Sequence, residues 1–302
     1  MTLEHWIRAS TRQMAPRSTA LLKLIFSDPD LGGDEPVWLH ELIRLMAPFG
    51  LDERATRTSV FRLTEQGCLQ SRRHGRRASY EVAPAAAESL RAAWRRLNAA
   101  PERHWDGNWT LLINSGGRIG AATYATLRKA LANHGYCALA PNVLARPTDH
   151  ETRGQDDLTA LGEEPHLEIF KVSGQQVTGG RAPAEFGREA WDLSAARADY
   201  DRFLQQCGPL RDALLAGSAP TAEQAFVIRV LVGLAWQQCR HHDPMLPLEF
   251  LPGDWPARAA YDLYRDLQRG TQAGAQRHLH AAPIAMPAML ARPMPVLCAQ
   301  AA

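Results

Sequence analysis

Arg54, Arg57 and Arg62 are spaced so that one side of an α-helix would carry all three, and Arg72, Arg73, Arg76 and Arg77 flank a His74-Gly75 pair shortly after. Guanidinium groups at this density suit the recognition of nucleic acid, because their planar fork of donors pairs with phosphate oxygens and with guanine edges in the major groove. Thr58 and Phe61 fall on the same side of the helix and add a hydroxyl and a ring that can touch bases. Between residues 54 and 77, seven arginines stand against one acid, Glu65, a net charge of +6 in a chain whose total is +2. The basicity is concentrated rather than general. A charge run alone is often only a solvated helix face, so the elements that carry these residues decide what they can do.

Those elements are legible. Asp52 is placed to N-cap the helix, its carboxylate accepting from the free N–H groups of the first turn. Thr56, Ser59, Val60 and Leu63, at i, i+3, i+4 and i+7, form the stripe that faces inward. Gly67 stops the helix, and residues 69–73 and 77–82 predict two short strands turned at His74-Gly75, where glycine supplies a positive φ. Upstream, Leu21, Leu22, Leu24 and Ile25 predict an apolar helix over Ser18–Phe26. A loop spans residues 30–36, Val37-Trp38-Leu39 predicts a short strand, and Leu39, Leu42, Ile43 and Met46 make a second stripe that stops at Pro48-Phe49-Gly50. Helix, strand, helix, turn, helix, hairpin is winged-helix topology. Arg17 and Ser18, near a helix start, are placed to hold a phosphate. A further helix from Pro84 to Leu97, with Leu90, Trp94 and Leu97 on one side, leads out of this unit.

Trp38-Leu39-x-x-Leu42-Ile43-Arg44-Leu45-Met46-Ala47-Pro48-Phe49-Gly50, running into Arg54-x-x-Arg57-Thr58-Ser59-Val60-Phe61-Arg62-Leu63, resembles the PaaX family of bacterial repressors of phenylacetate degradation. Trp105-Asp106-Gly107-Asn108-Trp109, Trp191-Asp192-Leu193 with Tyr200 and Phe203, Asp243-Pro244-Met245-Leu246-Pro247 and Leu251-Pro252-Gly253-Asp254-Trp255-Pro256 extend the resemblance in order from about Arg17 to Leu267. It implies a central domain similar to the Cas2 nucleases and a helical C-terminal part. It also implies phenylacetyl-CoA as an inducer that lowers DNA affinity.

The central residues agree with a ferredoxin-like α/β unit. Trp109–Ile113 predicts a strand, Arg118–Asn133 a helix stopped by Gly135, and Tyr136–Leu139, Asn142–Ala145 and His166–Val172 three more strands. A polar stretch over residues 149–164 has room for one short helix. In the C-terminal part, Phe186–Leu215 predicts a helix, and Glu223–Cys239, apolar almost all round, reads as a buried one. A last helix starts at Pro256 and reaches Leu267. After about Gly270 alanine, proline, methionine and histidine dominate without periodicity, which predicts a disordered tail.

Other chemistries find less support. A metal nuclease of Cas2 type wants a carboxylate at the end of its first strand, and this chain has Asn114-Ser115 there. An acyl-CoA enzyme would leave the basic helix and hairpin unused, and no GxSxG, GxGxxG or Walker A motif is present. Arg240-His241-His242-Asp243 lacks the i, i+4 histidine pair of a metal site and suits a helix end. Five dispersed cysteines predict reduced thiols in a cytoplasm, and no apolar run reaches transmembrane length.

The sequence therefore predicts an α+β, non-enzymatic, cytoplasmic regulator without cofactor or metal. Its units are a winged helix over 17–83, a linker helix over 84–104, a ferredoxin-like (Cas2-like) domain over 105–181, a helical domain over 186–269 and a tail over 270–302. The expected partners are an operator in double-stranded DNA, a second copy of the chain, and phenylacetyl-CoA. A homodimer is expected because one recognition helix reads few base pairs and two-fold proteins match palindromic half-sites. Trp191, Tyr200, Trp255 and Tyr264, with Arg240 for an anionic group, are the expected wall of the ligand pocket.

Overall fold

The computed structural model describes residues 2–31, 35–75, 77–132, 134–149, 167–174 and 182–281. Among them, no helix is long and apolar enough to cross a membrane. The chain mixes helices with two small antiparallel sheets, an α+β fold.

The first helix, α1 (Leu3–Met14), lies outside the sequence expectations. Thr2 caps it by accepting from the His5 N–H at 3.2 Å, and it buries Leu3 and Trp6. The Trp6 indole then donates to the Gln206 carbonyl at 2.7 Å, which ties the start of the chain to its C-terminal half. The expected order follows: α2 (Ser18–Ser27), β1 (Val37–Trp38), α3 (Leu39–Met46), α4 (Glu53–Glu65), β2 (Leu69–His74) and β3 (Arg77–Val82), with the strands ordered β1-β3-β2. The α3 stripe is shifted by part of a turn, since Glu41, Leu42, Leu45 and Met46 are buried and Ile43 only partly. Glu41 goes inward because its carboxylate accepts from the Trp38 N–H at 3.1 Å.

After α5 (Pro84–Asn98), the central sheet is built from β4 (Trp105–Asn114), β5 (Cys137–Ala140), β6 (Val143–Asp149) and β7 (Leu167–Ser173), in the order β5-β6-β4-β7, with α6 (Ala121–Ala132) between β4 and β5. All three pairings are antiparallel. This strand order is the one a β-α-β-β-α-β chain adopts. The stretch expected to hold its second helix falls almost entirely outside the described residues.

The C-terminal helices are α7 (Pro183–Ala190), α8 (Ser194–Leu215), α9 (Ala222–His242) and α10 (Ala257–His280). The single helix predicted over Phe186–Leu215 is two, broken at Trp191-Asp192-Leu193. Asp192 turns its carboxylate onto the Ser194 N–H at 3.0 Å, and Trp191 is drawn into a cluster with Phe186 and Phe250. At the other end, α10 runs past Gly270 to His280 and buries Thr271, Gly274, Ala275 and His278, so residues 270–280 are packed helix. Gly274 is required there, because a Cβ would sit 2.5 Å from that of Ala225.

One core joins parts that are far apart in sequence. Leu21, Leu22, Leu42 and Met46 belong to the same buried cluster as Phe203, Phe226, Trp236 and Tyr264. The N-terminal unit and the C-terminal helices are therefore packed against each other, with α5 sealing one side: the Leu97 carbonyl accepts from the Trp236 indole at 2.8 Å, and the Asn98 side chain accepts from the Tyr264 hydroxyl at 2.9 Å.

A buried ion pair crosses this junction. Arg229 of α9 donates from Nε and Nη2 to both oxygens of Asp28, at 2.8 and 3.1 Å, and from Nη2 to Asp30 at 2.8 Å. Its side chain and that of Asp28 are 4% and 3% exposed. Removing one partner of such a pair strands the other's charge, at a cost of about 3–5 kcal/mol. Arg229→Ala should lower the unfolding free energy by about this amount in urea titration, and a loss under ~1 kcal/mol would refute the assignment.

Nearby, His278 is buried against the Phe226 ring, with its Nε2 3.2 Å from Arg44 Nη1. Burial, and after it the Arg44 charge, lowers its pKa. The unfolded chain then binds the proton more readily, so stability should fall as pH drops below about 6.5, and His278→Gln should flatten that dependence in melts recorded across the range.

Candidate nucleic-acid interface

Helix α4 is built as its sequence requires. Asp52 Oδ1 accepts from the Ala55 N–H at 2.7 Å, and Thr56, Ser59, Val60 and Leu63 are the buried residues of the helix. Their burial turns Arg54, Arg57, Thr58, Phe61 and Arg62 outward, all exposed. Phe61 is 61% exposed, a large ring in water on an otherwise polar face. The ring stands beside the exposed arginines, where it is available to a partner surface.

Two features of this face escape a count of charge from Arg54 onward. Arg57 pairs with Glu53, one turn before it, at 2.7 Å, an i, i+4 spacing readable in the sequence. Both side chains are more than half exposed, so the pair is worth little and Arg57 can exchange it for a phosphate or base. Thr58 donates its hydroxyl to the Arg54 carbonyl at 2.8 Å, which leaves it acceptor capacity toward a ligand.

The hairpin adds a second basic edge. Its register runs from Leu69↔Val82 to His74↔Arg77, so alternation puts Arg72 and Arg77 on one face and Arg73 on the other. Arg72, Arg73 and Arg77 are exposed, and Arg76 lies outside the described residues. Arg72 is held by Glu81 at 2.8 Å, and Gly75 takes the turn at φ +63°. Arg17 is exposed at the N-cap of α2. Ser18 differs from the expectation of a phosphate ligand: its hydroxyl is hydrogen-bonded to that of Ser59 at 2.6 Å. It joins α2 to the inner face of α4.

The residues expected to wall a ligand pocket are brought together only in part, and as packed core. Tyr200 and Tyr264 are 0% exposed. Tyr200 donates to Asp243 at 2.5 Å, and burial together with the Asp243 charge pushes its pKa up. Trp255 packs edge-on to Tyr200 at 5.9 Å, with Arg197 over its ring. Arg240 lies over Trp236 and bonds the Arg96 carbonyl at 3.1 Å. Tyr264 stacks on Trp236 at 4.9 Å. Trp191 belongs to a different cluster and donates to the Gly135 carbonyl at 3.2 Å. Of the histidines at the end of α9, His242 is bonded through Nδ1 to Asp199 at 2.5 Å.

The carboxylate geometry of a nuclease is not assembled from the described acids. Asn114 braces the turn after β4 through Ile119, accepting from its N–H at 3.0 Å and donating to its carbonyl at 3.2 Å. Asp106 accepts from Thr148 and from the Asn108 N–H. Among the described residues no three His, Cys, Asp or Glu side chains converge as a metal site, and Asp156, Asp157, Glu163 and Glu164 lie outside them. The four described cysteines form no disulfide, and burial pushes the thiols of Cys137, Cys207 and Cys239 up to about 12.

An exposed basic helix and an arginine-bearing hairpin carried on an α+β fold are the features of a transcriptional regulator, and a relative of the chain is of that class. The chain belongs to the PaaX-like family: residues 30–86 match the model of the PaaX-like protein and residues 191–281 that of the PaaX-like protein C-terminal domain. It is 29% identical over 262 residues to the transcriptional repressor PaaX of Escherichia coli (strain K12), covering 86% of this chain and 82% of that protein. A solved structure, the uncharacterized protein Rv0674 from Mycobacterium tuberculosis, is 26% identical and covers 78% of this chain and 90% of that one, with a TM-score of 0.48.

The cap that aims α4 can be tested by itself. Asp52→Ala should cost about 1 kcal/mol in chemical denaturation, whereas Arg54→Ala, which removes no internal bond of its side chain, should stay within about 0.5 kcal/mol.

Proposed function

We propose that this chain is a cytoplasmic, dimeric transcriptional repressor whose N-terminal winged helix reads an operator in double-stranded DNA and whose affinity is lowered by an aromatic acyl-CoA, phenylacetyl-CoA in the first instance. The observation that carries this reading is the outward face of α4, where Arg54, Arg57, Thr58, Phe61 and Arg62 stand exposed over a capped and fully seated helix. Helix α4 enters the major groove, with Arg57 and Arg62 pairing bases or phosphates. Arg72, Arg73, Arg76 and Arg77 of the hairpin hold the backbone or the adjacent minor groove, and Arg17 reaches a flanking phosphate.

The central unit serves as a ferredoxin-like scaffold that fixes how two copies meet, so that two recognition helices address two half-sites. Support comes from the matched family and the Escherichia coli relative, whose name describes a transcriptional repressor. Release by ligand requires only that the ligand bind the DNA-incompetent state more tightly, by roughly 3 kcal/mol for a hundredfold effect.

A mobility-shift titration on the DNA upstream of the chain's own gene tests the assignment. Arg57→Ala with Arg62→Ala should weaken operator binding by about 1–3 kcal/mol for each base that the two side chains read, and should flatten the salt dependence by about one unit for each phosphate that they neutralise. Full operator affinity in the double variant would overturn the reading. Phenylacetyl-CoA should release the wild-type complex, while free phenylacetate should not.

A further inference from the structure

A cleft of about 560 Å³ opens between the central unit and the C-terminal helices, within the ~300–1,000 Å³ range of small-molecule sites. One wall is the C-terminal half of α6, where Arg128 and Lys129 stand beside Ala125 and Ala132. The floor is apolar, with Tyr136 and Leu144 from the central unit and Trp191 and Pro244 from the helical part. Glu189, Asp192 and His242 form the opposite rim. The rim is thus basic on the α6 side and acidic on the other, and the basic wall beside an apolar floor with aromatic rings suits the phosphate end of an anionic amphiphile.

The cleft bridges two units that touch closely at its base. The Trp191 indole donates to the Gly135 carbonyl at 3.2 Å. A Cβ on Gly135, which has φ +82°, would lie 2.7 Å from the Pro244 carbonyl oxygen. His242 on the rim is the last residue of α9, held there by Asp199. The same helix carries Arg229, which grips Asp28, and Gly233, where a Cβ would meet Leu24 of α2 at 2.9 Å. From Arg229 to His242 is roughly 20 Å along the axis at 1.5 Å per residue. One rigid rod therefore has its C-terminal end in the cleft and its middle turns against α2, and α2 is bonded to α4 through Ser18 and Ser59.

We propose that this cleft is the effector site, with the phosphates of an aromatic acyl-CoA on Arg128 and Lys129 and its acyl end on the floor beside Trp191 and Tyr136. The proposal rests on the effector reading given above and moves the pocket away from Tyr200 and Tyr264, which are core, and from the half-buried Arg240 and Trp255, which pack on Trp236 and Tyr200. A ligand that spans the cleft draws α6 toward residues 189–192 and His242, and so loads the end of α9.

The test is isothermal titration of phenylacetyl-CoA into the full-length protein, with operator affinity measured on the same samples. The charge-reversed pair Arg128→Glu with Lys129→Glu and the cleft-filling Ala132→Trp alter positions outside the core and should melt as the wild type does. Each should bind phenylacetyl-CoA at least tenfold more weakly and resist release from DNA, while unliganded operator affinity stays within twofold. Unchanged ligand affinity in both variants overturns the cleft assignment and leaves the effector reading standing. Failure of the wild type to bind phenylacetyl-CoA overturns the effector reading and this site with it.

Discussion

The fold turns on the grip of Arg229 on Asp28 and Asp30. A buried guanidinium is tolerated only when its donors are matched, and here Nε and Nη2 meet carboxylates while Nη1 meets the Gln268 carbonyl at 3.1 Å. The match fixes register as well as energy, because a fork of donors accepts two carboxylates in few orientations. Gln272 holds the other side of Asp30 at 2.9 Å. The turn after α2 is therefore clamped between α9 and α10. The apolar contacts around the clamp, Phe49 on Phe226 and Leu24 against Gly233, are non-directional and would permit sliding by themselves.

This junction makes the N-terminal unit one end of a larger body. Helix α4 packs on α2, α2 packs on α9, and α5 returns its terminal carbonyls to Trp236 and Tyr261. The orientation of the arginine face is therefore set by contacts across some 200 residues of chain. For the proposed function this matters, since a change at a distant cleft would reach α4 through packed elements that move together.

Local features were legible because their physics is local. The Asp52 cap, the Thr56, Ser59, Val60 and Leu63 stripe and the Gly75 turn each depend on a few neighbouring residues, and each stands where the sequence puts it. The strands of the central unit were legible as β-rich runs around one helix, whereas their order in the sheet is a tertiary relation. Where expectation and structure differ, a distant partner intervenes. Helix α1 has a polar composition and is held by Trp6 against α8 and α9. The break before α8 comes from Trp191, which leaves the helix for Phe186 and Phe250. The lack of periodicity after Gly270 suggested a tail, yet as far as His280 small residues such as Gly274 are what close packing on α9 demands.

The sequence by itself determined the chemistry available: a capped helix with arginines on its open face, a basic hairpin, and a run of motifs shared with one family. Helix period, capping and turn preference are properties of short segments, so they survive without knowledge of the rest. Only the tertiary structure decided which aromatic and charged side chains are spent on the core and which stand in a cleft. Tyr200, Tyr264 and Arg240 are consumed by Asp243, Asn98 and Arg96, while Arg128 and Lys129, ordinary on a helical wheel, line an open space. Burial and pairing are relations between segments far apart in the chain, and no segment carries them alone.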